Sequence, residues 1–363
     1  MKLGFLLFLL LPLFGIVYVV MHVWKMLPFA IWAKMVVAFL MVAAFALLFV
    51  GLRFSGKISM PLSIAVYEIG TSWLIMLLYL FMLFLLLDFG RLMHLIPVSF
   101  MKNSWTGTLT VLSIMFVVFV YGNIHYHHKV RQPLTLTTSK HLSRPMKIIM
   151  ASDLHLGYHN RREEFARWVD MMNQEKADLI LIAGDIIDNA LRPLEEQKME
   201  EEFLRLNAPV VACLGNHEYY AGAPNSLDFY RKADITLLRD SVITLGDLCI
   251  VGRDDRSHVG RKSVSQLMRQ ADKGKYVILL DHQPYHLEHA EKAGVDFQLS
   301  GHTHYGQVWP ISWITKVVYE CAFGEWQRGN TRYYVSSGLG IWGGKFRIGT
   351  RSEYVVAELR SKR

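Results

Sequence analysis

The sequence predicts an α/β domain of two packed sheets, carried behind a group of apolar helices. Three observations predict it. The first third of the chain is nearly free of charge. The remainder alternates short apolar runs with amphipathic stretches. Five fragments rich in Asp, His and Asn fall where those apolar runs end.

Residues 1–124 hold seven Lys/Arg and two acids, whereas residues 125–363 hold 32 and 29. The net charge of +8 divides accordingly into +5 and +3. Most of the excess lies among apolar segments, where flanking cations are expected. The remainder is too mildly basic for a nucleic-acid footprint, so no nucleic-acid partner is expected. Cys213, Cys249 and Cys321 are an odd number without close pairing and give no disulfide framework.

Four apolar stretches, 3–24, 29–52, 66–89 and 107–124, each reach the roughly 20 residues needed to cross a bilayer. The first is longer than a secretory-signal core and no small-residue cleavage site follows it, so it reads as a retained helix. Trp24, Trp32, Trp73 and Trp105 fall near the expected ends. Lys2, Arg53, Lys57, Lys129 and Arg131 on one side outnumber Lys25, Arg91 and Lys102 on the other. That bias predicts an inside N-terminus and, after four crossings, a cytoplasmic catalytic domain on a multi-pass integral membrane protein. Lys34 reads as a snorkelling side chain and Glu68 as a helix-start acid, and without a dense intramembrane charge pattern a transporter is not expected. Residues 1–124 are thus the transmembrane region and 125–145 a polar linker with a β segment at Leu134–Thr138. Residues 146–363 form the catalytic domain.

From residue 146 the pattern alternates. Strands are expected at 147–151, 179–183, 210–214, 276–280 and 297–299, with later ones at 332–336 and 354–359. Helices are expected at 161–174, 193–206 with Pro193 at its start, 227–233, 263–271 and 286–293. Alternation followed by extra strands suggests two sheets packed together with helices outside.

The five fragments are Asp153-Leu154-His155, Gly184-Asp185-Ile186-Ile187-Asp188, Gly215-Asn216-His217-Glu218, Asp281-His282 and Gly301-His302-Thr303-His304. On an extended chain residues i and i+2 project to one side, so Asp153 can meet an ion with His155, and His302 with His304. Asp185 has two carboxylate oxygens and can bridge two ions about 3.5–4 Å apart. Each fragment alone is weak; the set predicts a two-metal hydrolase.

The order Asp-x-His, Gly-Asp-x-x-Asp, Gly-Asn-His-Glu, His, Gly-His-x-His resembles the calcineurin-like metallophosphoesterases over residues 146–360. The wording of 152–157, 215–220, 301–307, 337–340 and 347–349 resembles their membrane-anchored branch, transmembrane proteins with a metallophosphoesterase domain. The resemblance implies a four-layer αββα sandwich. It implies a first ion held by Asp153, His155 and His304, a second by Asn216, His282 and His302, and Asp185 shared between them. It implies that His217 approaches the phosphate and that Asp188 orients it. Mixed nitrogen and oxygen ligands suit Mn, Fe, Zn or Co.

Two departures bear on substrate. Asn189 stands where phosphoprotein phosphatases have Arg, which removes a bidentate phosphate clamp. Tyr305 stands where relatives in this branch often have Gly. The expected reaction is hydrolysis of a phosphate ester by two divalent ions, with His217 supplying a proton to the leaving oxygen. The bilayer is an expected partner. So is a lipid-linked phosphodiester or pyrophosphate resembling UDP-diacylglucosamine, because relatives cleave that compound. Trp309, Trp313, Trp326 and Trp342 are candidates for an apolar rim. The alternatives are a tethered phosphodiesterase for soluble nucleotides and a non-catalytic membrane scaffold.

Overall fold

The structure is a computed structural model that describes residues 2–362, with side chains described outside 2–10 and 223–226. The chain divides into two compact units, Met1–Ile124 with Gly343–Lys345, and His125–Trp342 with Phe346–Arg363.

In the first unit, long helices run Lys2–Met26, Ile31–Phe54, Met60–Leu92 and Trp105–His127. Three segments, Ile31–Lys57, Met60–Leu92 and Trp105–His127, are long and apolar enough to cross a membrane. The first of the four expected spans is met only by a shorter apolar stretch, Leu11–Met26; its residues 3–10 lie outside those with described side chains. These helices bury Val19, Phe45, Leu77, Phe84 and Val111 against one another and leave Trp32, Phe39, Leu86 and Phe116 exposed. An apolar exterior suits hydrocarbon rather than water. Near one end the Asp88 carboxylate accepts the Tyr18 hydroxyl at 2.6 Å and lies 2.9 Å from His22 Nε2, tying the first helix to the third.

The second unit holds, among its described residues, two six-stranded sheets. Its strands are β1 (Lys129–Thr138), β2 (Met146–Ala151), β3 (Leu179–Ala183), β4 (Val210–Cys213), β5 (Ile235–Leu238) and β6 (Ser241–Leu245). They continue with β7 (Leu248–Gly252), β8 (Tyr276–Leu280), β9 (Phe297–Ser300), β10 (Gly324–Arg328), β11 (Thr331–Val335) and β12 (Ser352–Ser361). One sheet has the order β1-β12-β2-β3-β4-β5 and the other β10-β11-β9-β8-β7-β6. Both are mixed: β2, β3, β4 and β5 run parallel, as do β7, β8, β9 and β11, while β12 is antiparallel to β2 and β6 to β7. Ile148, Met150, Leu181 and Val355 of the first sheet meet Ile250, Ile278, Leu280 and Leu299 of the second in a shared core. The opposite face of the first sheet packs on Phe165, Trp168, Val169 and Met172 of the Arg162–Gln174 helix. That of the second packs on Leu267 and Ala290 of two short helices. Strands buried on both faces read as continuous apolar runs, which is why 147–151, 179–183 and 276–280 were legible.

Two expectations are refined. Within 125–145 the strand is not confined to 134–138: β1 pairs in parallel with β12 from Lys129↔Ser352 to Thr138↔Ser361. Leu134 and Leu136 alternate into the core while Thr135 and Thr137 face out. The helix expected over 193–206 is broken into Arg192–Glu196 and Glu200–Phe203, with Lys198 at φ +51°, a conformation no α-helix continues through. Because β1 is part of the core, Leu136→Ala should lower stability by about 2–5 kcal/mol. Exposed Thr135→Ala should change it by less than about 0.5 kcal/mol. Denaturant unfolding of the detergent-solubilised protein measures both.

Candidate metal centre

Each ligand-bearing fragment begins where a parallel strand ends. Ser152-Asp153 follows β2, Gly184-Asp185 follows β3 and Leu214-Gly215-Asn216 follows β4. Asp281-His282 follows β8 and Gly301-His302 follows β9. The carboxyl edges of both sheets thus deliver their side chains to one place. The chain there is not extended as the i, i+2 argument supposed. Asp153, His155, Asp185, His302 and His304 have φ of +54°, +45°, +53°, +71° and +47°. Left-handed backbone at non-glycine residues costs about 1–3 kcal/mol each and persists only where the surroundings enforce it. Gly184, at φ +77°, is required for a further reason: a Cβ there would lie 2.7 Å from His282 Nδ1.

The side chains form three overlapping groups whose ligand atoms lie within 4.8 Å of one another: Asp153, His155 and His304; His155, Asp185 and His217; Asp185, His282 and His302. Asp185 Oδ2 is 3.7 Å from His155 Nε2 and 3.1 Å from His282 Nε2, between the outer two groups. His304 Nε2 is 3.5 Å from Asp153 Oδ1. Asn216 Oδ1 lies 2.8 Å from His302 Nδ1, which adds Asn216 to the second group. All seven expected ligands are therefore together.

His217 and Asp188 stand beside them. The His217 Nδ1 donates to the Asp188 main-chain oxygen at 3.0 Å and lies 3.3 Å from its Oδ1. That leaves Nε2 as the nitrogen on the far side of the ring. The Asp188 carboxylate lies closer to His155, 3.1 Å from Nδ1, so Asp188 orients both imidazoles. Asn189, at the position of the absent Arg, donates to Asp188 Oδ2 at 2.8 Å.

The donor set fits cations. His155 and His304 aim Nε2 at each other across 3.0 Å, with the Asp153 carboxylate 3.9 and 3.5 Å from the two nitrogens. His282 Nε2 is buried and faces the Asp185 carboxylate. Burial, then the neighbouring imidazoles, pushes His304 well below the usual histidine range and His302 down to about 4. Neutral imidazole is the form that binds metal. Burial raises the Asp185 carboxyl, but the charges of His282, His217 and His155 outweigh it and hold it well below the usual range. Burial opposes protonation of His217, yet Asp185 and Asp188 raise it to about 9; cations beside Asp185 would oppose that rise.

Three residues not singled out as site residues hold these loops. Buried Glu218 accepts the main-chain N–H groups of Gly215, Asp185 and Ile187 at 2.7, 3.1 and 3.0 Å and the Tyr230 hydroxyl at 3.0 Å. It thereby locks the loop after β3 to the loop after β4. Ser152 donates its hydroxyl to Asp153. Arg347, wholly buried, donates to the main-chain oxygens of His304 at 2.7 Å and Gly340 at 3.2 Å, and to that of Ser337. Glu218 and Arg347 stand inside recognisable motifs, but only their main-chain partners reveal what they do. Arg347→Met leaves those carbonyls without donors. It should lower stability by about 2–3 kcal/mol and loosen the His304 loop. Arg347→Lys should recover part of the loss. Thermal unfolding together with elemental analysis of bound metal tests both effects.

Comparison with known proteins agrees with this geometry. The calcineurin-like phosphoesterase family model matches residues 146–306. An uncharacterized metallophosphoesterase of Helicobacter pylori is 28% identical over 73% of this chain and 75% of its own length. One from Aquifex aeolicus is 33% identical over 60% of this chain and 86% of its own. A transmembrane protein with metallophosphoesterase domain from Danio rerio is 26% identical over 76% of this chain and 70% of its own. With five strand-end loops supplying a buried His/Asp cluster suited to two metal ions, the chain belongs to the calcineurin-like metallophosphoesterase family.

Proposed function

We propose that this protein is a membrane-anchored dinuclear-metal phosphodiesterase or pyrophosphatase acting on a lipid-linked substrate. The observation that carries the hydrolytic part is the position of Asp185 Oδ2 between His155 and His282. In this reading Asp153, His155 and His304 hold one ion, Asn216, His282 and His302 the other, and Asp185 serves both. Two such ions, when bound, activate a water and neutralise the phosphoryl oxygens. The chain's own residues do the rest. Asp188 fixes the His217 ring through Nδ1, so that Nε2 is presented toward the substrate. From there it donates to the leaving oxygen as the ester bond breaks. The Asp153 carboxylate accepts the His302 main-chain N–H at 3.0 Å, which holds the two strand-end loops at a fixed separation.

Three helices long and apolar enough to cross a bilayer support a lipid-linked substrate, since such a substrate lies in the same bilayer. UDP-diacylglucosamine is the compound class with which the sequence resemblance agrees. With the shorter first apolar helix counted as a fourth crossing, the charge bias of the flanking segments supports a cytoplasmic catalytic domain, and the mixed donor set supports Mn, Fe, Zn or Co. Asn189 in place of Arg supports a diester or pyrophosphate over a phosphoprotein.

Two experiments test the reading. His217→Ala should keep its bound metal in elemental analysis while turnover of bis(p-nitrophenyl) phosphate falls about 10²–10⁴-fold. Asp185→Asn should lose both metal and turnover, and chelation should abolish activity that Mn²⁺ restores. Absence of turnover in the unsubstituted protein, with no phenotype from His217→Ala, would indicate the non-catalytic scaffold. Detergent-solubilised protein should also hydrolyse UDP-diacylglucosamine or another lipid phosphodiester. Cleavage of soluble nucleotides alone would favour the tethered nucleotide phosphodiesterase and end the lipid assignment.

A further inference from the structure

The helix Ile311–Val318 is turned inside out. Ser312 is buried, and Thr315, whose hydroxyl donates to the Ser312 carbonyl at 2.9 Å, is half-buried. Trp313, Ile314, Val317 and Val318 are 59, 57, 87 and 55% exposed. A helix bordering water has the reverse arrangement, with apolar residues inward and polar ones outward. The four exposed residues stand at i, i+1, i+4 and i+5 and form one continuous stripe. Trp309, also exposed, extends it by a turn, its ring 5.4 Å from that of Trp313 in an edge-on contact. From residue 309 to 318 the segment has no acid, and its single charge is Lys316.

We propose that this helix is an interfacial element of the catalytic unit, lying in the headgroup region of a bilayer with its stripe toward the acyl chains. Two observations choose a bilayer as the occupant. The same polypeptide carries three helices long and apolar enough to span one, so a lipid surface is always tethered to this unit. The stripe also has interfacial composition: two Trp beside aliphatic side chains, flanked by a Lys suited to anionic headgroups.

The helix is fastened to the metal centre. Gly306, at φ +68°, lies against its first turn, where a Cβ would come within 2.5 Å of the Ile311 carbonyl carbon. Lys316 Nζ stands 5.5 Å from the centre of the Tyr305 ring, and Tyr305 directly follows His304. That ring stacks on Phe323 with centroids 4.9 Å apart. Seating the helix on lipid therefore brings the His304 loop to headgroup depth. The inference concerns the bilayer and stands whether or not the hydrolysed substrate is a lipid.

The test uses the full chain in vesicles of phosphatidylethanolamine and phosphatidylglycerol. Val317→Cys carries a nitroxide spin label; the native Cys213, Cys249 and Cys321 are buried, and the unsubstituted chain measures their background. Val259→Cys, on a fully exposed loop residue, is the aqueous reference. Power-saturation spectroscopy compares collisions with oxygen, which concentrates in lipid, against a water-soluble nickel chelate. At Val317 oxygen should exceed the chelate several-fold, with the opposite order at Val259. A Val317 label that behaves like Val259 overturns the proposal. A label shielded from both reagents, in proportion to the protein-to-lipid ratio, would show that a second copy covers the stripe, and overturns it equally.

Discussion

The centre depends on burying the Asp185 carboxylate between two imidazole groups. Asp153, Asp185, Asp188 and Glu218 are each at most 1% exposed, so four acids share a region almost without water. Collecting carboxylates at low dielectric is unfavourable unless positive charge or aligned donors compensate. Glu218 is compensated by three main-chain N–H groups and Asp188 by two imidazoles. Asp153, whose carboxyl burial pushes above the usual range, has the least complete set, and His155 Nε2 points between it and Asp185. The residual demand for positive charge is therefore local, and it is what a pair of cations would meet. The same residues carry the left-handed backbone, so charge and strain concentrate together at the strand ends. Only the two sheets behind them, packed through residues such as Met150, Leu181, Ile278 and Leu299, are rigid enough to hold both.

Much of this was legible because parallel strands buried on both faces give short apolar runs, and the polar residues that follow mark the strand ends. The seven expected ligands came together for that reason. Asp153 and His155 do converge with His304, but through left-handed rather than extended backbone. Local pattern could not show Glu218 as a tie between loops. Its partners are main-chain N–H groups 31 to 33 residues back in the chain as well as its own loop. Arg347 was hidden for the same reason: a guanidinium bonded to carbonyls has no acidic partner in the sequence. The break in the helix after Pro193 leaves no trace in the sequence, because nothing in the residue type of Lys198 announces a positive φ.

The buried cluster itself does little to choose a substrate, because its atoms are committed to one another and to the ions they fit. Among the groups around it are two aromatic pairs with cations over their rings. On one side Tyr305 stacks with Phe323, with Lys316 over the first ring and the Arg351 guanidinium 5.2 Å from the second. On the other, Tyr319, its ring 6.3 Å from His302, shares a 3.0 Å hydroxyl contact with Tyr285, over which Arg256 lies at 4.0 Å. An aromatic face with a cation above it accommodates a flat or apolar group and an anionic group side by side. A phosphoprotein loop needs neither rings nor an apolar border. The lipid-linked substrate proposed above would use both. The outward-facing Trp309 and Trp313 add an exposed apolar surface on the segment that follows Tyr305.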